Sequence, residues 1–165
     1  MQSYKITKYN PLSYGAGGKY MNDEWTSISD IGKIFNDNVL THLEYQAVED
    51  AYLAAIRILA TAVGVDTLRV IDLETHDDMT KWRLAEGQYV PLPRAMEICR
   101  EMLREKPIWC RLENAEHFYV HIGYDYYMYI GVRAKIDVQS AIHSIKELGL
   151  FVEENWPSPY SREAQ

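Results

Sequence analysis

Hydrophobic and polar positions alternate most regularly between residues 108 and 132. Because side chains of a strand point alternately to its two faces, this alternation predicts three consecutive strands joined as a meander. The even positions, which we expect to face the core, are Ile108, Cys110, Leu112, Phe118, Val120, Ile122, Tyr126, Met128 and Ile130. The odd positions, which we expect on the outer face, are Trp109, Arg111, Glu113, His117, Tyr119, His121, Tyr127 and Tyr129.

The outer face of this meander is a candidate binding surface. Three-residue loops at 114–116 and 123–125 would align two cross-strand rows, one of Trp109, His121 and Tyr127 and one of Arg111, Tyr119 and Tyr129. Such cross-strand contacts contribute roughly 0.2–1 kcal/mol per pair. Contiguous Trp, Tyr and Arg side chains are frequent anchors of protein interfaces. The alternative is that the face is a stacked polar surface or is covered by the N-terminal loop.

The remaining segments predict helices and further strands. Thr41 and Glu44 form a capping-box pattern at the start of a helix that Gly64 ends. Two more helices are predicted near 93–105 and between 137 and 149, and strands near 4–9, 68–73, 88–90 and 151–153. Helices combined with a consecutive meander predict an α+β fold, in which helices pack on one face of an antiparallel sheet.

The composition is that of a folded protein. The chain has 165 residues, of which 47% are hydrophobic and 25% charged, so we expect residues 1–165 to form one globular domain. The start of the chain lacks the apolar run of a signal peptide, and no stretch is long and apolar enough to span a bilayer. Cys99 and Cys110 lie on different predicted elements. We therefore expect a cytoplasmic location without a structural disulfide or membrane contact.

The net charge favours some classes of binding partner over others. It is −7 at pH 7, and basic residues are interleaved with acidic ones rather than clustered, which argues against direct nucleic-acid binding. An acidic surface instead favours a basic protein partner. We expect Glu113 and two residues of an acidic loop, Asp77 and Asp78, to act as steering charges around the aromatic contacts. The oligomeric state does not follow from the sequence.

Three histidines are candidates for a second function class. His76, His117 or His121 could act as a general acid or base in a small hydrolase or transferase. Extended geometry separates His117 from His121 by about 13–14 Å, so one metal could not bind both. No dinucleotide fingerprint, nucleophile elbow or paired-cysteine motif occurs. We expect no cofactor, no metal and no catalytic residues; a small-ligand sensor is the third possibility.

Several segments carry a family resemblance. They are Tyr4 to Pro11, Asp23 to Ser27, Ser29 to Gly32, the dipeptide Trp109-Cys110, and Gly123 to Gly131. Together they resemble a family of small uncharacterised bacterial proteins similar to immunity proteins, which neutralise secreted bacterial toxins. The resemblance implies a stoichiometric protein-binding inhibitor rather than an enzyme, and a toxin domain as its partner, basic where the toxin attacks nucleic acid. It supplies no catalytic residues.

Overall fold

The computed structural model describes residues 1–76, 79–115, 117–133 and 135–160, with residues 79 and 80 described by their backbone alone. Its strands are β1 (Gln2–Thr7), β2 (Ile34–Phe35), β3 (Asn38–Val39), β4 (Thr67–Thr75), β5 (Tyr89–Pro91), β6 (Ile108–Asn114), β7 (Phe118–Ile122), β8 (Met128–Val132) and β9 (Phe151–Glu154). Its helices are α1 (His42–Ala62), α2 (Met79–Trp82), α3 (Leu92–Leu103) and α4 (Gln139–Glu147).

Seven of these strands form one antiparallel sheet in the order β5-β4-β6-β7-β8-β1-β9, while β2 and β3 pair as a separate hairpin. The predicted α+β fold with an antiparallel sheet is therefore confirmed, and the meander β6-β7-β8 occupies its centre. The first strand lies between the meander and the last strand. The last strand, β9, is thus an edge strand next to β1, and the residues that follow β9 leave the sheet at this edge.

Helix α1 begins and ends where the sequence predicts. The Thr41 hydroxyl accepts a hydrogen bond from the Glu44 amide, and the Glu44 carboxylate accepts one from the Thr41 amide, which completes the capping box. Gly64 follows the helix with a φ of 72°, a conformation that favours glycine. No helix within the described ranges is long and apolar enough to cross a membrane.

The core lies between one sheet face and the helices. Helix α1 packs against both α3 and α4, and α3 packs against β4 to β7. The carboxylate of Glu49 on α1 is fully buried and receives two hydrogen bonds from Arg104 on α3, at 2.6 and 2.8 Å. Cys99 and Cys110 are both buried free thiols. Burial raises the pKa of both thiols, that of Cys110 to about 12, so both act as packing residues.

Candidate functional site

The outer face of the meander carries side chains that do not belong to the hydrophobic core cluster. Arg111, Tyr119, His121 and Tyr129 are absent from that cluster, whereas their even-numbered strand neighbours form its centre. The Tyr119 ring stacks on the His121 ring with centroids 4.4 Å apart. The alternation between 108 and 132 therefore sorts these positions onto the expected faces.

The cross-strand register differs from the predicted one by two residues. His121 lies opposite Arg111 and Tyr129, and Tyr119 lies opposite Glu113 and Gly131. The last β6-β7 pair joins Asn114 to Phe118, each one residue later than expected. The β7-β8 turn is five residues long, 123–127, with left-handed φ angles at its third and fourth positions. The two predicted rows are therefore wrong, because a later first turn and a longer second turn each shift the paired residues by two positions.

The C-terminal segment of the chain covers this face. In this covering segment, residues 155–160, the Trp156 amide donates to the Ser3 carbonyl at 3.2 Å. The Trp156 ring centroid lies 3.6 Å from the Lys5 ammonium. Further along, the Tyr160 ring packs on Tyr129 with centroids 6.2 Å apart. The segment thus crosses the sheet from the β1 edge toward the meander.

The open platform expected on this face does not exist. Arg111 is 2% exposed, Tyr119 8%, His121 1% and Tyr129 9%. The alternation predicts that these four side chains are available to a partner. This prediction is wrong for them, because residues far away along the chain cover them. Tyr127 is half-buried, and its hydroxyl forms a hydrogen bond with that of Tyr14 in the N-terminal loop.

A polar cluster lies beneath the covering segment. The Arg111 guanidinium donates to Asp72 at 2.9 Å and to Glu113 at 2.8 Å. The His121 ring forms hydrogen bonds with Glu113 at Nε2, 3.1 Å, and with Ser158 at Nδ1, 2.7 Å. Burial lowers the pKa of His121, against the opposing effect of the Glu113 carboxylate. A neutral ring that donates from Nε2 and accepts at Nδ1 satisfies both partners.

Ser158, His121 and Glu113 are hydrogen-bonded in the sequence found in a hydrolytic triad. Their burial, however, is that of a structural cluster. Ser158 is 0% exposed and His121 is 1% exposed. A nucleophilic hydroxyl has to meet a substrate carbonyl, and this one is closed off by its own segment. The cluster instead holds the covering segment onto β7.

The other predicted contacts are distributed differently. Trp109, Glu113 and His117 are half-buried, and His117 lies in the turn between β6 and β7 rather than on a strand. The two proposed steering charges Asp77 and Asp78 lie outside the described residues. Trp109 lines a cavity of about 550 Å³, whereas Arg111, Glu113, Tyr119 and His121 line a smaller one of about 330 Å³ beside Pro157 of the covering segment.

The larger cavity, the sheet-end cleft, has a volume of about 550 Å³. Its lining combines four aromatic and three acidic residues: Trp109, Tyr124, Tyr126, Tyr160, Glu74, Glu105 and Asp125. An apolar floor of Met102, Leu103, Ile108 and Ile122, together with His76 and Lys106, completes most of the lining. Antiparallel pairing brings these residues together, because the end of β4, the start of β6 and the β7-β8 turn meet at one end of the sheet.

Hydrogen bonds fix two of the lining side chains, Trp109 and Glu105. The Trp109 indole nitrogen donates to the Ile122 carbonyl at 2.8 Å, which orients the ring. Its ring centroid lies 5.3 Å from that of Tyr160. The Glu105 carboxylate accepts from the Ser27 hydroxyl at 2.6 Å. Tyr124, in contrast, is 87% exposed at the rim. The cleft therefore has an ordered interior and one solvent-facing aromatic side chain.

Sequence patterns identify only part of this site. Trp109 stands out on the outer face, and Glu74 and His76 belong to the predicted acidic loop. Tyr124 and Asp125 fall in a turn, and Glu105 has the pattern of a solvated helix charge, so their convergence is visible only in the tertiary structure. The density of tyrosine and aspartate in the turn 123–127 is the one local signal that could have indicated it.

The described residues contain no group of three His, Cys, Asp or Glu side chains arranged to hold a metal ion. The chain matches no protein-family model, no curated protein and no solved structure. Its function is accordingly inferred from the chemistry of the cleft.

Proposed function

We propose that the protein is a stoichiometric protein-binding inhibitor of a basic protein. In its most concrete form it is a bacterial immunity protein that neutralises a cognate toxin by covering the toxin's active site. The observation that supports this proposal is the sheet-end cleft, where aromatic rings and carboxylates line one cavity on a chain of net charge −7.

The combination suits protein binding for two reasons. Trp and Tyr side chains contribute large contact areas with few rotatable bonds, and they are enriched among the residues that dominate interface energies. Carboxylates around them attract a basic partner and raise the association rate at low ionic strength. The rim residue Tyr124 provides an exposed contact, and Trp109 provides one whose ring is held by a hydrogen bond.

The contact surface is accordingly revised from the sequence-based one. His121 and Tyr129 contact the covering segment, and Arg111 and Tyr119 are buried on the same face, so we do not assign these four residues to the partner. Trp109 keeps its proposed contact role, and Glu74, Glu105 and Asp125 are the described carboxylates that line the same cleft.

A small-ligand function is the second candidate, because the cleft volume of about 550 Å³ falls in the range of small-molecule sites. His76 lines the cleft beside Glu74, which provides an imidazole and a carboxylate in the same cavity. A sensor domain, or a small hydrolase or transferase, would use these groups on a bound ligand rather than on a protein surface.

Co-expression tests the inhibitor proposal. The partner to use is the toxic C-terminal domain encoded by a gene adjacent to this one, expressed with and without the protein. We expect growth to be restored and a 1:1 complex to be recovered by size-exclusion chromatography. The complex should weaken as salt is raised, because exposed charges are screened.

The Trp109→Ala and Tyr124→Ala variants connect the function to the cleft. Each should weaken the complex by about 10-fold or more, as expected when an interface aromatic is truncated. Leu12→Ala, at a side chain that is 92% exposed and outside the cleft, is the control that should leave affinity unchanged. Persistent toxicity, with no complex between the purified proteins, would exclude the inhibitor function for that pair.

A further inference from the structure

The protein holds two of its own lysines in the same way. The Lys5 ammonium lies 3.6 Å from the Trp156 ring centroid and 2.6 Å from the Glu153 carboxylate. The Lys8 ammonium lies 4.2 Å from the Trp25 ring centroid and 2.9 Å from a carboxylate oxygen of Glu24. Both lysine side chains are 7% exposed. In each case a ring face and a carboxylate together replace the water around a cation.

The sheet-end cleft contains the same two components. Trp109 and Tyr160 present rings inclined at 57° to each other, and carboxylates of Glu74, Glu105 and Asp125 line the same cavity. Within the described part of the chain, no lysine or arginine lies over either of these rings. The components that bury Lys5 and Lys8 are therefore present a third time, in an open cavity.

The charges that line the cleft favour a cation from outside. The lining contains three carboxylates and one ammonium group, that of Lys106, which is exposed. No described residue forms an ion pair with the side chain of Glu74 or Asp125. A positive charge entering here would gain both carboxylates and ring faces without breaking an existing ion pair of those two residues.

We propose that the cleft binds a basic side chain, lysine or arginine, that the protein partner inserts between the Trp109 and Tyr160 rings and the carboxylates. This inference rests on the proposed function and specifies the chemistry of the partner's main contact. The volume of about 550 Å³ accommodates the side chain together with part of the loop that carries it.

Small probes test the cleft without any partner protein. The ¹⁵N-labelled protein is titrated with Nα-acetyl-lysine methylamide and Nα-acetyl-arginine methylamide, and the Trp109 indole signal, assigned with Trp109→Phe, is followed by NMR. We expect saturable shifts with both cations, and the two titrations rank lysine against arginine. The neutral counterparts, with an acetylated lysine side chain or with citrulline, should bind about 10-fold more weakly because they lack the charge.

Charge variants locate the binding. Glu74→Gln/Asp125→Asn should weaken cation binding by about 5-fold or more, because it removes two lining carboxylates. The matched control is Asp37→Asn/Glu147→Gln, which also removes one aspartate charge and one glutamate charge. Asp37 has a left-handed φ of 65°, close to the 53° of Asp125, and Glu147 is exposed. It should leave binding unchanged. Lys106→Gln should strengthen binding by about 2-fold or more, because it removes the one positive charge of the lining.

Several results would overturn the inference. They are equal shifts from cationic and neutral probes, equal weakening by the cleft and control pairs, or no indole shift at saturating probe, with folding of each variant verified by its thermal unfolding. Neutralisation of the toxin by the cleft pair as efficient as by the wild type would reject the basic contact and leave the inhibitor function standing. Cation-specific shifts without any toxin neutralisation would support cation binding in the cleft and reject the inhibitor function.

Discussion

Two regions of this molecule contain nearly the same residue types but differ in whether their carboxylates have hydrogen-bond or ion-pair partners within the chain. Beneath the covering segment, Arg111 and His121 share the Glu113 carboxylate, and all lie on a packed sheet face. In the sheet-end cleft, the Glu74 and Asp125 carboxylates have no hydrogen bond or ion pair with any described residue. Aromatic and charged side chains thus mark an internal contact where the chain supplies the counter-charge, and our proposed binding site where it does not.

The largest expected effect tests whether the covered face is a packed layer. A Cβ atom at Gly131 would lie 2.0 Å from a ring carbon of Tyr119, so Gly131→Ala has to displace the ring or the strand. We expect a loss of roughly 3 kcal/mol in the free energy of unfolding, typical of overpacking in a close-packed interior. Chemical denaturation measures it.

Two controls belong to this variant. At Gly123 the added atom would meet the far end of the Tyr160 side chain at 3.0 Å, so Gly123→Ala should cost less, about 1 kcal/mol. In a Tyr119→Leu background the cost of Gly131→Ala should fall. Equal costs for the two glycines and no rescue would mean that the outer face is not tightly packed.

The next effect concerns the covering segment itself. Trp156→Ala removes the ring from the Lys5 ammonium, and Trp156→Phe retains a ring there. We expect the alanine variant to lose about 1–2 kcal/mol of stability and the phenylalanine variant clearly less, as for a partly buried cation–π contact. Hydrogen exchange at Tyr119 and Tyr129 should accelerate in parallel. Unchanged stability and exchange in the alanine variant would show that the segment does not hold the face.

The third effect is a pH dependence confined to the covered region. Burial lowers the pKa of His121 in the folded protein, whereas the unfolded chain titrates near pH 6.5. Below that pH the unfolded state binds a proton that the folded state does not, so stability falls as the pH drops from about 6.5, by at most about 1.4 kcal/mol per pH unit. Above about pH 7 this contribution is fully present and constant.

Denaturation between pH 5.5 and 7.5 measures this slope, and two variants assign it. His121→Gln should flatten it, because the glutamine has no proton to gain. His143→Gln, at an exposed position on α4, should leave it unchanged. A slope that survives in His121→Gln would attribute the pH dependence to other groups.

These comparisons also show which parts of the molecule local patterns determine. Helix α1 and the two faces of the meander follow from capping and alternation, which are properties of neighbouring residues. The register does not, because it depends on a turn in which Asp125 and Tyr126 adopt left-handed φ angles of 53° and 62° without any glycine at those positions. Such angles are uncommon for residues other than glycine and are not evident from the sequence.

Long-range contacts explain the remaining difference. Covering the outer face depends on Ser158 meeting His121, 37 residues away along the chain. The cleft combines the end of β4, the end of α3, the β7-β8 turn and Tyr160. Each segment alone has the pattern of an ordinary loop or helix end, so the composition of the site becomes visible only once the sheet order is known.

The smallest expected change in stability is that of the cleft pair, and it is measured against the same kind of substitution in the covered region. Glu113→Gln in the covered region weakens the contacts with Arg111 and His121, and should cost about 1–3 kcal/mol because both partners are buried. Glu74→Gln/Asp125→Asn changes two carboxylates and should stay within about 0.5 kcal/mol of the wild type, as for surface sites without partners. Thermal and chemical denaturation at pH 7.5 compare them directly. If the cleft pair costs as much as Glu113→Gln, its carboxylates already stabilise the fold, and the distinction between a satisfied region and an open binding site fails.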